Sequence, residues 1–74
     1  MKVELESTTR FVEADGLRMR VWQGETAAGI PVVALIVRVA VERTQDTTEF
    51  ERELQEHAAP RADVVAFPLR FFLD

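Results

Sequence analysis

Between Ile30 and Arg43 the chain runs IPVVALIVRVAVER, fourteen residues rich in β-branched side chains. In an extended strand Val33, Leu35, Val37, Val39 and Val41 share one face, and Val32, Ala34, Ile36, Arg38 and Ala40 share the other. β-Branched residues suit a pleated surface and lose χ1 freedom in a helix, so a strand is the expected state. A strand apolar on both faces is normally central and covered twice. A chain carrying this run has to build a small sheet and find cover for it.

The preceding stretch RFVEADGLRMRVWQG, residues 10 to 24, supplies two partners for that strand. Asp15-Gly16 between alternating segments marks a type I′ turn, which needs positive φ at both central residues. With those two at the tip, Ala14 pairs with Leu17, Glu13 with Arg18, Val12 with Met19 and Phe11 with Arg20. One face then carries Val12, Leu17, Met19 and Val21, and the other Phe11, Glu13, Arg18, Arg20 and Trp22. Opposite charges face each other across the strands, and an Arg comes within reach of the Phe11 ring, a contact worth about 0.5–1 kcal/mol when exposed. Upstream, Lys2 to Glu6 alternates as a half-buried strand does, and Ser7-Thr8-Thr9 permits a bulge or bend. A second loop, GETAAG at residues 24 to 29, leads into the apolar run.

After Arg43 the period changes. TQDTTEFERELQEHAAP, residues 44 to 60, offers a capping box in Thr48 with Glu51 or Asp46 with Glu49, and Pro60 as a stop. Phe50, Leu54 and Ala58 make a narrow apolar stripe on a helix of about three turns, enough to cover one sheet face. Glu49, Glu51, Glu53 and Glu56 form a solvated acidic face. The last segment, DVVAFPLRFFLD, alternates again, with Val65, Phe67, Leu69, Phe71 and Leu73 on one side and Val64, Ala66, Pro68, Arg70 and Phe72 on the other. It is expected to be a strand, at an edge or bulge because Pro68 lacks an N–H, returned by a helical crossover. The expected architecture is one α+β domain spanning residues 1–74: an antiparallel sheet of three to four strands, one helix on one face, in the order β-β-β-α-β.

Composition narrows the chemistry. At 74 residues there is no room for a separate catalytic domain, and 47% apolar with 30% charged residues describes a globular rather than a disordered chain. Cysteine is absent, which removes disulfides, thiolate metal sites and thiol catalysis and suits a reducing compartment. No apolar run approaches the roughly 18 residues of a membrane span, and MKVELESTTR lacks the apolar core of a signal peptide, so a cytoplasmic protein with no membrane partner is expected. His57 is the only histidine, so metal-ligand clusters are not expected, nor any other cofactor. Ser7 is the only serine and lies in no G-x-S-x-G motif, so a Ser7–His57 nucleophile is not expected, and His57 is assigned to capping carbonyls or to the core edge. The three glycines form no phosphate-binding loop. The expectation is a chain without enzymatic activity.

One surface is left without an obvious duty. With the helix over the Val21 and Leu35 face, the opposite face collects Phe11, Arg18, Arg20, Trp22, Val32, Ile36 and Arg38, joined by Arg70 and Phe72 from the last strand. Aromatic and aliphatic groups mixed with Arg are the composition of interface hot spots. If the sheet curls, Trp22 and Ile36 are simply core. Otherwise Phe11, Arg18, Arg20, Trp22, Ile36, Arg38 and Phe72 form an interface, with a second copy across a two-fold axis or with a different protein. The alternative is a small ligand held between sheet and helix or at a subunit interface, beside Trp22, Phe67, Phe71 and nearby Arg. Arg beside aromatic rings also has the composition of a base-stacking platform, but a net charge of −4 and the lack of an RNP-type motif make nucleic acid an unexpected partner.

Overall fold

A computed structural model describes residues 1–42, 44 and 46–65. Within them the chain forms a three-stranded antiparallel sheet and two short helices, a small α+β fold. The strands are β1 (Val3–Ala14), β2 (Leu17–Thr26) and β3 (Pro31–Ile36), in that spatial order. The β1–β2 turn follows the Asp-Gly chemistry, with φ of 51° at Asp15 and 78° at Gly16, and its register pairs Val12 with Met19 and Phe11 with Arg20. Pairing continues down to Val3 with Thr26, interrupted where Thr8, Thr9 and Arg10 lie opposite Val21 alone. Ser7-Thr8-Thr9 therefore bulges a single long strand rather than dividing it.

Val12, Val21 and Val64 are the fully buried apolar side chains among the described residues, with Val33 and Leu35 packed against them. Cover on this side comes from the segment after the first helix, α1 (Thr48–Glu53), and from the second, α2 (Ala62–Val65). Its attachments are polar. The Gln23 side-chain amide donates to Glu6 Oε1 at 3.0 Å and to the Ala59 carbonyl at 3.2 Å, while the Arg61 N–H donates to Gln23 Oε1 at 2.8 Å. Arg10 Nη1 donates to the Val64 carbonyl at 2.6 Å and the Val65 carbonyl at 3.2 Å, satisfying the C-terminal carbonyls of α2. A buried Gln23 is tolerated here because both ends of its amide are engaged.

Three expectations are corrected. The apolar run is a strand only over Pro31–Ile36, where it pairs with β2. Its two apolar faces meet different surroundings: Val33 and Leu35 pack against Val12, Val21 and Val64, while Ile36 lines a groove shared with Phe50 and Leu54. The helix ends at Glu53, well before Pro60, because the chain must become extended to reach β1: the Ala58 N–H donates to the Ser7 carbonyl at 2.8 Å and the Thr9 N–H to the Ala58 carbonyl at 3.1 Å. Bonds from Gln55 to Arg52 and from Glu56 to Glu53 close the last turn in the tighter three-residue manner. Finally, Ala62–Val65 is helical where the start of a strand was expected, so Val64 enters the core as a helix residue while Val65 stays exposed. The rest of that expected strand, with Phe67, Phe71 and Phe72, lies outside the described residues.

Candidate functional site

On the far face of the sheet the Phe11 ring lies between two guanidinium groups, with Arg18 Cζ at 3.9 Å and Arg20 Cζ at 4.0 Å from its centroid. The hairpin register dictates this, since Arg20 is directly opposite Phe11 and Arg18 one step along the same face. Arg20 also donates from Nη1 to the Thr8 carbonyl at 2.6 Å, so it stiffens the bulge as well as presenting charge. Next to Arg20 on this face, half-buried Trp22 faces Ser7 on β1 and Ala34 on β3.

Beside Trp22 the surface opens into a groove of about 340 Å³. Arg20, Trp22 and Ile36 form its sheet side, and Phe50, Glu53 and Leu54 of α1 and the turn after it form the wall. Val37, Arg38 and Val39 make one rim, and Ser7 and His57 lie where the strap, residues 56–61 between the two helices, meets β1. The helix therefore stands on the Trp22 side. This corrects the expectation that it would cover the Val21 face, which the α2 segment takes instead.

Ser7 and His57, distant in sequence, meet here: Ser7 Oγ is 2.8 Å from His57 Nδ1, and the same hydroxyl donates to the Glu56 carbonyl at 3.1 Å. Backbone bonds at Ser7 and Thr9 flank the pair and fasten Ala58 to β1. With the hydroxyl proton directed to the Glu56 carbonyl, Ser7 Oγ meets His57 Nδ1 as an acceptor, and the contact ties residues 56–58 to β1. Among the described residues no three His, Asp or Glu side chains converge as metal ligands would.

The acidic helix is neutralised in part by its own Arg52, which holds Glu49 at 2.7 Å and Glu56 at 2.6 Å. The hydrogen bond to Glu49, then the charge of Glu56, raises the Arg52 guanidinium above its ordinary value. At the helix start Asp46 Oδ1 accepts from the Thr48 N–H at 2.9 Å, which holds its carboxyl below its ordinary value. All these groups are exposed. Changing Glu49→Lys with Glu53→Lys is therefore expected to cost less than about 1 kcal/mol, as exposed pairs and surface positions do. A chemical-denaturation midpoint close to that of the parent protein checks it.

Six of the seven residues singled out in the sequence fall on or beside this one face. Arg20, Trp22, Ile36 and Arg38 line the groove, Phe11 and Arg18 flank it, and Phe72 lies outside the described residues. Phe50, Leu54, Ser7 and His57 were missed as groove residues. The stripe of Phe50 and Leu54 announces a buried face but does not say which side of the sheet receives it. No family model, curated protein or solved structure matches this chain. Any functional reading has to come from the groove and its surroundings.

Proposed function

We propose that the chain is a small non-enzymatic interaction domain of the cytoplasm that self-associates through the Trp22 face. The observation that carries this reading is an imbalance of burial. Among the described residues only Val12, Val21 and Val64 are fully buried apolar side chains, whereas Phe11, Leu17, Val37, Val39 and Leu54 are exposed. A core this thin among the described residues gains most from covering apolar surface with another molecule. A second copy is the simplest such molecule, because a two-fold interface uses one patch twice. Phe11 clamped by Arg18 and Arg20, with Trp22, Ile36 and Arg38 beside it, supplies the aromatic, aliphatic and Arg anchors that interfaces concentrate. A different protein could use the same anchors, and Trp22 would anchor it equally.

Trp22→Ala is expected to weaken association by about 2 kcal/mol or more, roughly thirtyfold, while the variant remains folded. Light scattering over a dilution series, with circular dichroism alongside, measures both. An unfolded variant, or one that associates as the parent does, would place Trp22 outside the interface. A second reading, a small apolar ligand, is favoured by the groove volume, which lies in the roughly 300–1,000 Å³ range of ligand sites. Excess mass on the purified protein in native mass spectrometry, lost with Trp22→Ala, would favour that reading over self-association.

A further inference from the structure

Val37 to Glu42, VRVAVE, alternates as a strand should, yet it belongs to none of the strands among the described residues. The last β2–β3 pair is Arg20 with Ile36, and among the described residues no backbone hydrogen bond engages Arg38 to Glu42. Val37 and Val39 are exposed, at 55% and 40%, and together with Arg38 they form a rim of the groove. A β-branched segment whose N–H and C=O groups have no partner among the described residues, next to an apolar groove, is a template for pairing with another strand. The β1 edge is less suited to that role, because its bulge carries the Ala58 strap and its flanks carry Lys2, Glu4 and Glu6.

The charges on the segment select the partner. From Pro31 to Glu42 the only charged residues are Arg38 and Glu42, two positions either side of Ala40, and both are exposed. Set antiparallel against a copy of itself and centred on Ala40, the segment places each Arg38 opposite the other copy's Glu42. In the same register Val39 faces Val41 and Ala40 faces Ala40, so from Arg38 to Glu42 the pairing is complementary in charge and in polarity. We infer that residues 37–42 are a two-fold strand-pairing element, through which two copies of this chain join antiparallel along the groove rim in the register centred on Ala40.

This inference rests on the self-association reading and adds the element and its register. The test uses the full chain in two charge variants, Arg38→Glu and Glu42→Arg, each changed at one exposed position and so expected to melt as the parent does. Each variant alone meets like charges twice across the axis, and its dimer should dissociate at concentrations at least about tenfold higher than the parent's. Mixed in equal amounts, the two variants restore both opposite-charge pairs, so native mass spectrometry should find the mixed dimer in excess over either homodimer. A parent protein that stays monomeric at every concentration overturns both the inference and the self-association reading. Dimers that ignore the two substitutions overturn the strand pairing while leaving self-association in place. Weakened homodimers with no preference for the mixed species overturn the register.

Discussion

Gly24→Ala is expected to leave the protein without a stable sheet. Gly24 lies opposite Leu5, and a Cβ built on it would stand 1.7 Å from the Glu4 carbonyl oxygen, 2.7 Å from its carbon and 2.9 Å from Leu5 Cα. All three atoms are backbone, so no side-chain rotation relieves the overlap. Ordinary overpacking costs about 1–3 kcal/mol, and here the strands themselves must separate, so the cost exceeds that range. Parting Val3–Glu6 from β2 would also break the Glu6 to Gln23 hydrogen bond, and with it one of the holds on the α2 segment. A circular-dichroism melt should show the midpoint lowered by more than about 10 °C, or no cooperative transition. A variant melting within about 4 °C of the parent would show that the two backbones do not lie this close.

The same strand pair marks how far the fold is written in local pattern. Asp15-Gly16 sets a two-residue turn, and once the turn is set the period of two assigns every residue from Phe11 to Gln23 to a face, which is why Phe11, Arg18, Arg20 and Trp22 meet as the alternation implies. The faces of Val32 to Ile36 follow by the same rule. What local pattern does not carry is the side from which α1 approaches, the early end of that helix and the helical state of Ala62–Val65. Each depends on contacts across the fold: Ala58 bonding to Ser7 and Thr9, and Arg10 reaching the Val64 carbonyl. A capping box and a proline describe a helix by its own residues, whereas here a strand some fifty positions upstream pulls the chain out of it. The groove inherits the same limit. Its sheet side is legible from alternation, but its helix wall and its Ser7–His57 contact arise only when the strap docks.

Thr8→Val tests that docking from the inside. Thr8 is fully buried at the bulge, its Oγ1 donating to the Val21 carbonyl at 2.6 Å and accepting from the Arg10 N–H at 3.2 Å. Valine keeps the shape and removes both bonds, leaving the Arg10 N–H without that acceptor and depriving the Val21 carbonyl of that donor. Unsatisfied buried groups cost about 1–3 kcal/mol each, so a loss of about 2–4 kcal/mol is expected, a large share of the stability of a domain this small. Thr8→Ser keeps the hydroxyl and sheds only a methyl, and it should recover most of the loss. Hydrogen exchange then tells where the damage goes. The Ala58 N–H bonds to Ser7 and the Thr9 N–H to Ala58, so a bulge loosened at Thr8 should speed exchange at both amides more than at Val12 or Met19 near the hairpin tip. Unchanged exchange at those two amides, with stability lost all the same, would mean that the strap holds the bulge in place and not the reverse.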